Sequence, residues 1–125
     1  MINKQDFLNA WTQEIEMVRG DTLAFNFQLA GLGSEEAYEA LTCVFAVSEH
    51  YEANNVVEIT NYNGISLVEY DAAHDIATFG VSVAPASTRY LPLTRYYYEL
   101  KIKDTDNNVV TLMRGHLTLL FNLKD

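Results

Sequence analysis

Four stretches of the chain alternate apolar and polar residues with a period of two, and this rhythm restricts the fold more than any other feature. In Leu23-Ala24-Phe25-Asn26-Phe27-Gln28-Leu29 every second side chain is large and apolar. The same holds at Leu41, Cys43, Phe45 and Val47, at Tyr96, Tyr98, Leu100 and Ile102, and at Leu117, Leu119, Phe121 and Leu123. Successive residues of a strand point to opposite faces, so the pattern buries one face and wets the other. On a helix of about 3.6 residues per turn the same apolar set would scatter around the axis. The chain is predicted to be all-β and mostly antiparallel.

Punctuation between these runs gives the order of elements. Residues 1–10 read as a short N-terminal arm, and residues 11–125 as a single β-sandwich domain. Strands are expected over 11–18, 23–29, 41–48, 56–60, 65–70, 76–83, 95–103 and 109–123. Residues 34–40 read as a short capped helical turn, and Asn63-Gly64 is a turn signal. The segment from Ala84 to Leu93 carries Pro85 and Pro92, which remove ladder donors, so it is predicted to cross between sheets. Seven to eight strands at this spacing indicate an Ig-like antiparallel β-sandwich or a small barrel. The paired cysteines that flank a tryptophan in true immunoglobulin domains are absent, so "Ig-like" refers to architecture alone.

A chain of 125 residues buries roughly 65–70% of its unfolded surface, enough for a core without disulfide or metal staples. Its 17 acidic and 8 basic residues give a formal charge of −9. Nucleic acid and anionic membranes are recognised by clustered basic residues, so neither is an expected partner. No apolar run reaches the roughly 20 residues of a membrane helix, and the N-terminus lacks a secretory signal, which predicts synthesis in the cytoplasm. Cys43 sits on the apolar phase of its strand and is read as a buried structural thiol.

Motifs that could carry chemistry resolve into structural roles. Arg19-Gly20-Asp21 spells an integrin-binding tripeptide but abuts a strand, where Gly20 supplies an unusual backbone angle and Asp21 a turn contact. His50, His74 and His116 lack ligand spacing and read as solvent-facing, so no metal is expected. Asp104-Thr105-Asp106-Asn107-Asn108 has Val109 where a calcium loop requires glycine, and reads as a hairpin turn. Glu14, Glu16, Glu58, Glu69 and Glu99 fall mostly on polar phases, and no nucleophile, phosphate or dinucleotide motif occurs. Catalytic residues and cofactors are therefore not expected, and the chain is not read as an enzyme.

The aromatic residues are more informative. Tyr97, between Tyr96 and Tyr98, must point away from the core, while Tyr51, Tyr62 and Tyr90 sit in loops and Trp11 borders the arm. Exposed tyrosine and tryptophan are enriched at interfaces and sugar-binding surfaces, although they also cover edges of their own domain. Leu120 and Val44 are apolar residues on the wet face, which points to a covering partner.

Two segments resemble a known family. "EIEMVRGDTLAFNFQL" (Glu14 to Leu29) resembles the opening of Ig-like domains of phage and prophage tail and baseplate proteins, best known from the upper baseplate protein of phages of Gram-positive hosts. "RYYYELKIKDTDNNVVTLMRGHLTLLFNL" (Arg95 to Leu123) is similar to the family's aromatic strand, acidic turn and a strand carrying a threonine and a glycine, here Thr111 and Gly115. The resemblance spans residues 14–123, with the middle third aligned by strand count. It implies a non-enzymatic virion structural protein, made in the bacterial host cytoplasm and assembled into the particle with other virion proteins and its own copies. Its place would be the baseplate or tail, or a decoration of head or collar. The expected interface uses Phe7, Leu8 and Trp11 of the arm with Tyr97 and Leu120 of the outer face. A carbohydrate-binding or host-adhesion module is the alternative, stacking a surface glycan on Tyr51, Tyr62 or Tyr90. A third reading, an acidic nucleic-acid mimic, rests on charge alone.

Overall fold

The computed structural model describes residues 11–50 and 54–121. Among them the strands are β1 (Trp11–Thr12), β2 (Ile15–Val18), β3 (Leu23–Ala30), β4 (Thr42–Ser48), β5 (Asn55–Thr60), β6 (Ile65–Asp71), β7 (Ile76–Val83), β8 (Arg95–Lys103) and β9 (Val109–Leu120), with one short helix, α1 (Glu35–Glu39). They form two sheets. The larger runs β1-β9-β8-β4-β5, with β2 also on β9, and the smaller runs β3-β7-β6. This is an Ig-like β-sandwich, and the local signature of that architecture is present. The Tyr96 hydroxyl, one residue into β8, donates to the carbonyl of Pro92 at 2.7 Å, the corner bond that pins the crossover entering this strand in Ig-like sandwiches.

Alternation explains the core. Cys43, Phe45 and Val47 of β4, Tyr96, Tyr98, Leu100 and Ile102 of β8, and Ala77, Phe79, Val81 and Val83 of β7 are all buried. Phe25 and Phe27 of β3 are only partly buried although they keep the same phase, because β3 is the edge strand of the smaller sheet. The crossover from β7 to β8 does change sheets, through a 3-10 turn at Pro85–Ser87. The hairpin loop between β8 and β9 is organised by Asp104, whose Oδ1 accepts from the backbone N–H of Asp106 and Asn108, both at 2.9 Å. Asn107 takes the left-handed angle there, with φ of 66°.

Two expectations need correction. The first strand is not one antiparallel piece over 11–18. It breaks at Gln13-Glu14, and both halves pair with β9 in parallel, Trp11 with Met113 and Ile15 with Leu117. Phe121 is not core: β9 ends at Leu120, and Phe121 is 66% exposed beyond the end of the sandwich.

The break is shaped by Gly115. A Cβ there would fall into the carbonyl oxygen of Gln13 and press on the Tyr98 ring. That oxygen instead accepts the Tyr98 hydroxyl at 2.5 Å. Gly115→Ala is expected to destabilise the fold by about 1–3 kcal/mol through overpacking against backbone, read as a lower urea midpoint with an unchanged m-value.

Candidate functional site

The outer face of the larger sheet follows from the same alternation. With Phe45, Tyr96, Tyr98, Leu117 and Leu119 turned inward, Val44, Ala46, Tyr97, His116, Thr118 and Leu120 turn outward. Tyr97 and His116 are direct cross-strand partners, with ring centroids 4.8 Å apart, and Nδ1 of His116 lies 3.1 Å from Oε1 of Glu14. His116 faces outward as expected, and there it sits between an aromatic ring and a carboxylate. Leu120 is on the same face two pleats further along β9 and is 38% exposed. Charges of both signs are interspersed on this face: Lys101 lies opposite Val44, Glu99 lies between Ala46 and Arg114, and Arg95 lies opposite Thr118, with Lys101 and Glu99 3.8 Å apart.

Of the residues singled out in the sequence, Tyr97 and Leu120 are thus brought to one face. Phe7, Leu8 and Tyr51 lie outside the described residues, and Trp11 is placed by its backbone alone, beside Met113. Tyr62 and Tyr90 are 98% and 87% exposed. They do not share a platform. Asn61 ties the Tyr62 loop to Leu41 and Cys43 at the start of β4, opposite the end of β8, whereas the Tyr90 loop leads into the start of β8.

Arg19-Gly20-Asp21 is a structural corner. The Arg19 side chain donates to the carbonyl of Leu91 at 3.2 Å. Gly20, at φ of 87°, donates its N–H to the buried hydroxyl of Thr88 at 3.0 Å. The motif therefore fastens the β2–β3 turn to the β7–β8 crossover. The Asp104 carboxylate is likewise engaged by its own loop, including the Asn108 side chain at 3.1 Å.

Reading by strand rhythm missed one polar centre. Tyr38 of α1 is fully buried, and its hydroxyl accepts from the N–H of Leu32 and donates to Asp75 at 3.0 Å. The Asp75 carboxylate also receives the Tyr70 hydroxyl at 3.1 Å and the N–H of Gly33 at 2.9 Å. Partial burial raises the Asp75 carboxyl, but these donors together outweigh it and hold the group below the usual carboxylate range. Ser34 caps α1 by accepting from the N–H of Ala37, which positions Tyr38 for this contact. A lone tyrosine in a polar five-residue helix carries no periodic signal. Among the described residues, no group of three histidine, cysteine or acidic side chains is placed to hold a metal ion. Among them, too, no helix is long and apolar enough to cross a membrane.

No family model matches the chain, and no curated protein does. Among solved structures it is similar to AggA, the major subunit of aggregative adherence fimbriae type I from Escherichia coli. The identity is 14%, the TM-score 0.43, and the alignment covers 89% of this chain and 91% of that one.

Two buried groups make stability depend on alkaline pH. Burial, with a contribution from the Glu14 charge, pushes the Tyr98 phenol up to about 12. Burial pushes the Cys43 thiol up to about 11, against the lowering effect of its Asn61 hydrogen bond. Both are raised in the fold, so their stabilisation is complete below the unfolded values, near 8.5 for cysteine and 10 for tyrosine. It is lost as pH rises through the folded values. Urea midpoints are expected to fall from about pH 9 to pH 12, and Tyr98→Phe should flatten the upper part of that decline.

Proposed function

We propose that the protein is a non-enzymatic structural component of a phage or prophage virion, assembled by protein–protein contacts with other virion proteins and with its own copies. The observation that carries this reading is the outer face of the larger sheet. It presents Tyr97, tilted against the His116 ring, together with Val44, Ala46 and Leu120, and no element of the described chain covers it. An aromatic held rigid by a neighbour loses little side-chain entropy on docking, which suits an interface anchor. The resemblance of residues 14–29 and 95–123 to tail and baseplate Ig-like domains supplies the virion context, as baseplate, tail, head or collar component. Corners and loops that could have suggested other chemistry are occupied by the fold's own hydrogen bonds, as at Arg19, Gly20 and Asp104.

Incorporation into particles tests this reading. Tyr97→Ala and Leu120→Asp, with unchanged melting, are expected to lower co-sedimentation of the purified protein with particles lacking it by about tenfold or more, the loss typical of an interface anchor. Variants that incorporate as well as the parent protein would overturn the role of this face.

A further inference from the structure

The sheet edges of this sandwich are not treated alike. β6 is bulged between Leu67 and Glu69 and carries Glu69 and Asp71. β5 pairs with β4 across an irregularity at Val47/Ser48 and carries Glu58. At the other edge of the larger sheet, β1 and β2 on β9 are only two and four residues long, are separated by the break at Gln13-Glu14, and carry Glu16. Bulges, charges and very short edge strands are the ordinary means of preventing edge-to-edge pairing. β3 has none of them. Its eight residues contain no charge and no proline, it pairs in unbroken register with β7, and no strand of the described chain pairs with its other side.

Beneath this free edge the sandwich is open. Two adjoining clefts of about 350 and 490 Å³ run along β3, lined by Phe25 and Phe27 on one side and by Ile15, Leu100, Leu112 and Met113 on the other. Phe27 stacks on Phe79 at 5.2 Å, so its ring is fixed although its edge remains accessible.

The sequence of β3 reads almost the same in both directions about Asn26: Leu23-Ala24-Phe25-Asn26-Phe27-Gln28-Leu29. An antiparallel pairing of two copies across a two-fold axis at Asn26 sets Phe25 of each copy opposite Phe27 of the other, and Leu23 opposite Leu29. Asn26 then meets its own equivalent, and Ala24 meets Gln28. Every inward apolar residue faces an inward apolar residue, and every outward residue faces an outward one. Isologous interfaces require this self-complementarity, and aromatic cross-strand pairs with side-by-side asparagines stabilise it.

From these observations we propose that β3 is a homodimerisation strand, pairing with β3 of a second copy to join two three-stranded sheets into one of six. The inference deepens the self-assembly half of the proposed function and rests on it; docking to other virion proteins through the Tyr97 face is separate and has its own test above.

Analytical ultracentrifugation of the full chain, with hydrogen exchange at β3 amides, decides it. The expected result is a concentration-dependent dimer in which the outward amides of β3 gain protection as the dimer forms. Asn26→Lys places like charges face to face at the axis and should give a monomer that melts like the parent protein at dilutions where the parent is itself monomeric. The register is read by two double variants: Ala24→Lys with Gln28→Glu should keep the dimer, and Ala24→Lys with Gln28→Lys should lose it. A chain monomeric at all concentrations, a dimer indifferent to Asn26→Lys, or loss of the dimer in both double variants would overturn the proposal. So would outward β3 amides already protected in the monomer, which would make residues 1–10 of the same chain the occupant of the edge.

Discussion

Three aromatic rings hold the two sheets and the N-terminal strand in one arrangement. Phe25 of the smaller sheet meets Phe45 of the larger edge-on at 5.5 Å, and Phe45 meets Tyr98 of the neighbouring strand, also at 5.5 Å. Phe45 and Tyr98 are almost wholly buried, so their contacts are made without competition from water. The Tyr98 hydroxyl then leaves the core where the Gln13 carbonyl lies over Gly115 and receives it. One chain of contacts therefore runs from β3 through β4 and β8 to the break between β1 and β2. The apolar part supplies cohesion. The polar end sets direction, because a buried phenol without an acceptor would be costly.

That column also shows which parts of the fold were legible in the sequence. Strands with one fully buried face, β4, β7 and β8, keep the two-residue rhythm without error, since a slip of one residue would expose every core side chain. The rhythm says nothing about which side of a strand is paired. The parallel placement of β1 and β2 on β9, and the free side of β3, are properties of neighbours rather than of the strands themselves. Phe121 continued the rhythm on paper but stands past the end of the ladder, where there is no opposite sheet to bury it. The Tyr38 and Asp75 centre was invisible for another reason: its members come from α1, β6 and the β6–β7 turn, and only the folded chain brings them together. Of the residues expected to form the interface, Tyr97 and Leu120 could be placed outward by alternation alone. The partnership of Tyr97 with His116 depended on the β8–β9 register.

Charge is distributed unevenly over the two sheets. β3 and β7 contain no charged residue, whereas β8 alone carries Arg95, Glu99, Lys101 and Lys103. In a chain with a formal charge of −9, long-range repulsion acts against indiscriminate association while contributing little to any one contact. A polar, mixed-charge face around Tyr97 suits a reversible or partner-specific contact. An uncharged strand edge suits a contact made through backbone hydrogen bonds, where specificity comes from register.

The difference between an open and a closed edge decides what such a strand does in an assembly. A free edge that accepts any extended segment propagates, because each added strand presents a new edge. A two-fold pairing of identical strands ends the process, since each copy uses its β3 edge once and what remains at the rim of the joined sheet is β6. The bulge at Val68 and the carboxylates of Glu69 and Asp71 make that rim a poor template for further strands. Negative charge and a bulge fall on the strand that a β3 pairing would leave outermost, and neither falls on the strand that would be consumed.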